Sequence, residues 1–499
     1  MSYAKEFGPL RAFLWPIHRH ELAKFVPMLA IFFLICFNYS ILRATKDALV
    51  VTAPSSGAEA IPFIKVWAIL PCALGMTFLY TRFSNYLKRE YVFYAMISLF
   101  LVFFLLFAFF LYPYREQLHP NAFANGLEES WPIGCHGFIA MLRNWTFTLY
   151  YIMSEMWSTI VMTVLFWGFA NEVTSVHDAR RFYVILGVAA NIAAILSGWA
   201  ATALSYHRFD PGLPFGTDAW GQTLVLLCGI VILNCIACML LFRYLHRKGH
   251  GYQQASDYST SKDSSFRMGL RKSFIYLARS PYLICIAVIV VMYNLSLNIV
   301  EVVWKDQVKQ IYPNPSDFNA YMGQVLTSVG IVATLIAIFV SGNVLRRFSW
   351  TFGALITPII VGVTGLLFFA FTLFKEAPAG LLTVLAGNTP IMIAVFFGAM
   401  QNCLARASKY TLFDATKEMA FIPLSRESKL KGKAAIDGVG SRLGKSGGSI
   451  IHQGLLVVLG TIASSTPYVA LILLTSIAAW VIAVRVLGKK FYALETTSG

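Results

Sequence analysis

The chain alternates between long runs of apolar residues and short polar connections. The clearest run, residues 92–111, contains no charged residue, and about 20 such residues cross the hydrocarbon core of a bilayer as a helix. Twelve runs of this kind predict twelve membrane-spanning helices. They cover residues 25–43, 61–81, 91–112, 145–170, 182–204, 221–243, 281–303, 320–342, 350–374, 389–413, 435–460 and 467–486.

The twelve predicted helices fall into two groups of six, separated by the longest polar connection. Paired halves of this kind are typical of transporters. We therefore predict an all-α integral membrane protein made of two six-helix halves. Its parts are a cytoplasmic N-terminal segment 1–24, a first half 25–243, a cytoplasmic linker 244–280, a second half 281–486 and a cytoplasmic C-terminal tail 487–499.

The composition agrees with burial in lipid. Only 13% of the residues are charged, against about 25% in a soluble protein. The net charge of +16 comes largely from Lys and Arg in the first 24 residues and in the connections after every second helix. The positive-inside rule then predicts that both termini face the cytoplasm. The charge reflects topology, so no nucleic-acid partner is expected, and the basic start of the chain does not predict a secretory signal peptide.

A glycine-rich stretch, residues 437–449, reads DGVGSRLGKSGGS. A phosphate-binding P-loop needs a glycine at position 439, five residues before Gly444, and a strand ahead of it. Position 439 is Val439, so the stretch is not a P-loop. Lys445 lies instead in a glycine-interrupted predicted helix, where it can still contact a phosphate as a point charge.

Cysteine and histidine give no sign of a metal centre. Cys235 and Cys238 form a C-x-x-C inside the sixth predicted helix, where two small apolar residues on a helix are favoured over a redox or metal pair. The nine His follow no metal-binding pattern. We expect neither a metal nor another cofactor, and the failed P-loop argues against a membrane enzyme that hydrolyses or transfers phosphate.

Several predicted helices carry ionisable residues, which are costly in a membrane and usually face a cavity or a partner. Helical spacing places those of each helix on one face. These residues could also have purely structural roles. Arg43, Lys46 and Lys409 could snorkel to the membrane surface. The deeper Glu155 and Glu301 could be structural partners of basic residues. The candidate substrate-binding residues are Lys46, Tyr150, Tyr151, Glu155, Asn298, Glu301, Asn402, Arg406, Lys409, Arg442 and Lys445.

If these faces line one cavity, it contains more positive than negative charge, which suits a multiply charged anion. The two carboxylates would prevent permanent capture of the anion or carry coupling protons. Tyr150 and Tyr151 could stack on a nucleobase, although packing in the protein core is the competing interpretation for any one aromatic residue.

Seven stretches together carry a specific family resemblance. They are NYSILRATKD (38–47), LFWGFAN (165–171), RFY (181–183), VEVVWK (300–305), AYMGQ (320–324), YTLFDATKEMAFIPL (410–424) and GSRLGKSGG (440–448). In these stretches the chain resembles the nucleotide transporters of the ATP/ADP translocase type, found in obligate intracellular bacteria such as chlamydiae and rickettsiae, and in plastids.

The resemblance implies a major-facilitator-like fold and an antiporter in a bacterial inner membrane that imports host ATP in exchange for ADP, with phosphate as a further ligand. We also expect a monomer. The family's charged functional positions carry over to Lys46, Glu155, Glu301 and Lys445. We expect Lys46, Arg406 and Lys445 to contact phosphates, Glu155 and Glu301 to act as exchanging counter-ions, and Tyr150 or Tyr151 to touch adenine. The alternative is a proton-driven net importer of nucleotides or NAD.

Overall fold

A computed structural model describes residue 11 and residues 15–249, 280–341, 349–373, 389–424, 432–433, 436 and 440–498. Most of the predicted linker, 250–279, lies outside the described residues. Throughout the described part of the chain, the regular secondary structure is helical.

Twelve long helices follow one another in the order the sequence predicts. Eleven are long and apolar enough to cross a membrane, so eleven of the predicted spans are confirmed within the described residues. The helices are α1 Arg19–Val51, α2 Ala60–Tyr86, α3 Arg89–Leu111, α4 Trp145–Val173, α5 Arg181–Ala203, α6 Ala219–Arg247, α7 Pro281–Ile311, α8 Pro315–Phe339, α9 Trp350–Leu373, α10 Pro390–Ala420, α11 Ser441–Leu459 and α12 Ile462–Leu494.

The remaining predicted span, α11, is a helix of 19 residues but is not among the eleven apolar ones. Its first half carries Lys445 and three glycines, Gly444, Gly447 and Gly448, so a large part of its length adds little apolar area. Three short helices, Arg115–Leu118, Asn121–Ser130 and Ile133–Arg143, lie between α3 and α4.

Helices extend beyond charged positions where the sequence suggested that they end. The first span was predicted to stop at residue 43, but α1 continues to Val51 and contains Lys46 and Asp47. The predicted tail 487–499 continues α12, because the helical backbone extends past Leu494, the end of the candidate membrane span, as far as Ser498. Charged residues that find partners inside the protein need not end a membrane helix.

Within the described residues, five of these helices contain a π-helical segment, in which backbone hydrogen bonds join residues five positions apart. These segments are Ile64–Ile69 in α2, Phe107–Leu111 in α3, Trp157–Phe166 in α4, Ala337–Ser341 at the end of α8 and Lys409–Phe413 in α10. Such bulges are frequent at functional sites. Two of them carry charged side chains, Lys65 and Lys409.

The two halves touch along α5 and α8 at one end of the bundle. This end, called the outer end below, holds the connections 52–59, 112–144, 204–218 and 312–314. Thr202 Oγ1 donates to the Ala320 carbonyl at 3.0 Å, and Asn319 Nδ2 donates to Ser205 Oγ at 3.0 Å. A Cβ added at Gly198 would collide with the Gly323 carbonyl oxygen. Small residues thus let the helices of the two halves approach closely.

The glycines around Lys445 serve helix packing. A Cβ added at Gly444 would lie 2.7 Å from the Cβ of Asn294, and one at Gly448 would lie 3.2 Å from the Cβ of Asn298. Both glycines therefore let α11 pack closely against α7, as small residues four positions apart do in membrane helices. Residues 437–439 of the glycine-rich stretch lie outside the described residues.

The α5–α8 contact predicts an asymmetry between two glycine substitutions. Gly198→Ala should lower the melting temperature of the detergent-solubilised protein, because the added methyl group overpacks the contact at a cost of about 1–3 kcal/mol. Gly229→Ala on α6 is the matched control, since nothing lies within 4 Å of its added Cβ. It should leave stability unchanged or raise it by up to about 1 kcal/mol. Equal melting temperatures for the two variants would contradict the close α5–α8 contact.

Candidate functional site

Charged side chains from both halves meet in one cluster at the outer part of the bundle. The cluster draws on five helices, α1, α2, α4, α7 and α10. Its members, the charge cluster, are Arg43, Lys46, Asp47, Lys65, Glu155, Glu301, Lys305 and Arg406.

The most deeply buried pair of the cluster joins the first helices of the two halves. Lys305 Nζ on α7 lies 2.8 Å from Asp47 Oδ2 on α1, and their side chains are 1% and 0% exposed. An ion this well removed from water is stable only with its partner in place. The pair therefore ties α1 to α7.

Glu301 is the carboxylate with the most cationic neighbours. Its Oε1 lies 3.1 Å from Lys305 Nζ, 3.4 Å from Arg406 Nη2 and 4.0 Å from Arg43 Nη2. Its Oε2 lies 4.0 Å from Lys65 Nζ. These cations come from four helices of both halves, so a single carboxylate holds the two halves' cationic groups together.

Lys46 is held by two carboxylates and one ring. Its Nζ lies 2.9 Å from Glu155 Oε1 and 3.2 Å from Asp47 Oδ1. It also sits 3.7 Å from the centroid of the buried Tyr151 ring, within the range of a cation–π contact. Since the Glu155 side chain is 31% exposed, it is the most accessible carboxylate of the cluster.

Asn298 connects the cluster to α11. Its Oδ1 accepts from Lys65 Nζ at 3.1 Å, and its Nδ2 donates to the Lys445 carbonyl at 2.6 Å. The side chain of Lys445 is exposed. Lys445 therefore stands at the edge of the cluster with its ammonium group available to a ligand.

Three further predicted residues lie on α10 and α11. Lys409 bonds Asp414 on its own helix at 2.9 Å and is 32% exposed. Asn402 is buried one turn of α10 before Arg406, where its Nδ2 donates to the Gly398 carbonyl at 3.1 Å. Arg442 lies in the first turn of α11, but its side chain is outside the described part of the chain.

Tyr150 and Tyr151 are adjacent in sequence but occupy different surroundings. Tyr150 is fully buried, with ring centroids 5.5 Å from Phe104 and 4.5 Å from Phe107 of α3. This position favours the interpretation of Tyr150 as a core-packing residue. Tyr151 faces the charge cluster through its contact with Lys46.

Sequence reasoning left Arg43, Asp47, Lys65 and Lys305 out of the candidate set, with Arg43 considered only as a residue that could snorkel to the membrane surface. The sequence pattern did point to two of them, Lys305 and Asp47. Lys305 lies one helical turn after Glu301 on the same face, and the Lys46–Asp47 step of the first helix is echoed by Lys305–Asp306 in the seventh. Lys65 gave no such signal, because a lysine close to the start of an apolar run is typical of a membrane boundary.

The charge cluster has five cations and three carboxylates, which leaves a net charge of +2. Each carboxylate is already paired with a cation. An incoming polyanion would therefore bind by replacing carboxylates at cations that are in place, and a ligand with several negative charges could do so at several cations at once.

Comparisons with known proteins give the chain's relatives. A family model described as TLC ATP/ADP transporter matches residues 1–491. The chain is 48% identical over 493 residues to ADP,ATP carrier protein 1 of Chlamydia muridarum (strain MoPn / Nigg), which covers 98% of this chain and 92% of the relative. It is 42% identical over 475 residues to ADP,ATP carrier protein 1, chloroplastic, of Arabidopsis thaliana, covering 95% and 75%.

Among solved structures, the chain resembles a bacterial homologue of the iron transporter ferroportin in its inward-facing state. The TM-score is 0.57 at 14% identity, covering 95% of this chain and 99% of the other. At this identity the likeness shows the fold alone. The prediction of an all-α membrane protein with a major-facilitator-like fold is confirmed.

The buried pair between the halves predicts a double-mutant result. Asp47→Asn leaves Lys305 without its nearest carboxylate and should lower the free energy of unfolding by about 3–5 kcal/mol, measured by thermal unfolding in detergent. Adding Lys305→Met removes the uncompensated charge and should restore most of that loss.

The control for this cycle is Lys433→Gln, which breaks an ion pair with Glu418 at 2.6 Å whose two side chains are each 46% exposed. Its effect should stay within about 1 kcal/mol. If Lys305→Met does not restore stability to the Asp47→Asn variant, the two side chains are not coupled as described.

Proposed function

The chain belongs to the TLC ATP/ADP transporter family, and on that premise we propose that it exchanges ATP for ADP across a membrane. The observation that carries the proposal is the charge cluster, in which cations of both halves converge on Glu301. Its excess of positive charge suits the phosphates of a nucleotide, and relatives at 46–48% identity are named ADP,ATP carrier proteins.

In this proposal, Lys46, Arg406 and Lys445 contact the phosphates, while Glu155 and Glu301 act as exchanging counter-ions. A nucleoside triphosphate carries about four negative charges and a diphosphate about three. These charges replace the carboxylates at the cations, and the carboxylates return when the nucleotide leaves. Binding is therefore an exchange of partners, which limits how tightly the nucleotide is held.

Transport proceeds by rocking of the two halves around this site. The close contact of α5 with α8 supports a state closed at the outer end. Opening that end separates α1 from α7 and so must part Asp47 from Lys305. Phosphates that engage the neighbouring cations favour this step because they supply new partners for buried charge.

The membrane and the further ligands are part of the same proposal. The multi-pass chain lies in a bacterial inner membrane with both termini in the cytoplasm, as a monomer, and its segments 1–24, 244–280 and 487–499 face the cytoplasm. Phosphate moves together with ADP, which brings the charge carried in the two directions closer to balance.

The exchange is tested with the full chain in liposomes. Uptake of labelled ATP should require ADP inside the liposome and should continue after a proton uncoupler is added. Uptake that is independent of internal ADP and stops with the uncoupler would show proton-driven net import instead, with Glu155 and Glu301 as candidate proton sites.

Two variants test the site. Lys46→Ala and Glu301→Ala should each lower the exchange rate by about tenfold or more, since each removes a charge-assisted contact worth about 1.5–3 kcal/mol. Lys433→Ala, in a half-exposed ion pair, is the control and should exchange at the unaltered rate. Size-exclusion profiles establish that all three variants insert and fold. Unaltered exchange in both site variants would show that Lys46 and Glu301 are bystanders.

A further inference from the structure

A narrow recess opens beside the charge cluster, between α1 of the first half and α7, α8 and α10 of the second. Its interior is about 10 Å³, room for roughly one water molecule, and the space including the open mouth is about 290 Å³. One wall is apolar and comes from Trp304, Met322, Leu326 and Val329. The recess therefore differs in chemistry from the cluster next to it.

The polar lining of the recess is small and sits on the side of the cluster. It consists of Arg43 on α1 and of Asn402 and Arg406 on α10. Both arginines also reach Glu301 Oε1, at 4.0 Å and 3.4 Å. The recess and the charge cluster thus share two side chains, Arg43 and Arg406.

We propose that this recess is the subsite for the purine base of the nucleotide. The proposal rests on the proposed function. A nucleotide has a flat, weakly polar base at one end and an anionic chain at the other, and the recess and the charge cluster offer the matching surfaces side by side. The base lies against the apolar wall, and the planar Arg43 and Arg406 side chains pass from its edge to the phosphates.

The state of the recess without nucleotide fits this assignment. Arg43 and Arg406 line the recess and are drawn towards Glu301. When phosphates replace Glu301 at these arginines, both side chains move and the recess widens for the base. Recognition of the base and exchange of the counter-ions are then one event, and a ligand that lacks the base fills only the cluster.

Asn402 gives the subsite its base preference. Its Nδ2 donates to the Gly398 carbonyl, so its Oδ1 is the atom that remains for a ligand. An amide oxygen accepts a hydrogen bond from the exocyclic amino group of adenine. Guanine presents a carbonyl oxygen at that position, which would face Oδ1 as a second acceptor. The subsite therefore takes adenine in preference to guanine.

The test measures binding of ATP, GTP and inorganic tripolyphosphate to the purified full chain by calorimetry. Val329→Trp fills the recess from α8. Its affinity for ATP should fall about tenfold or more, towards that for tripolyphosphate, while its affinity for tripolyphosphate stays within about twofold. Ile331→Trp, at an exposed position of the same helix, is the matched control and should bind all three ligands as the unaltered chain does.

Asn402→Leu is a second variant, in which leucine has nearly the same size as the asparagine it replaces. It keeps the test decisive if Val329→Trp does not fold. Its ratio of ATP to GTP affinity should fall by about tenfold. Unaltered ATP affinity in Val329→Trp together with an unaltered ratio in Asn402→Leu overturns the base subsite. Failure of the proposed function looks different, because the unaltered chain would then bind no ATP at all.

Discussion

Charge that is buried between two halves of a membrane protein must be paired, and this constraint organises the whole molecule. Asp47 and Lys305 meet at 2.8 Å with almost no exposure, one from the first helix of each half. Around them, Glu301 and Glu155 bind the remaining cations. The long helices can carry these charges through the apolar region because none of the cluster's carboxylates lacks a cationic partner.

In the proposed mechanism, the same constraint explains why transport is an exchange and not free passage. Parting the halves at the outer end would unpair α1 from α7 and cost several kcal/mol, unless another anion takes over the cations. A nucleotide with several phosphates meets that need, and an empty carrier does not. In this mechanism the carrier crosses between states when it is loaded, so each transport step in one direction is matched by one in the other.

The sequence predicted the helices and part of the site. Apolar runs predicted the existence and order of the spans, and helical spacing placed Glu301, Arg406 and Glu155 on inward faces.

The sequence could not show which charges pair across the halves, because Asp47 and Lys305 are 258 residues apart and their contact depends on how the halves dock. It could not separate Tyr150 from Tyr151 either, since neighbouring residues on a helix point about 100° apart and the partner helices were unknown. Lys65 was missed because nothing in the local sequence distinguishes a paired lysine from one at the membrane surface.

The most direct test of the charge cluster's role is the distance between the outer ends of the two halves, measured by pulsed electron spin resonance. Labels at Arg208 and Gln310, both exposed and on opposite halves, suit a chain whose eight cysteines have been replaced. Without nucleotide, one short distance should dominate, and ATP should populate a longer one. If ATP binds and the distance distribution does not change, the charge cluster does not hold the outer end closed against nucleotide, and its role as the link between binding and rocking is refuted.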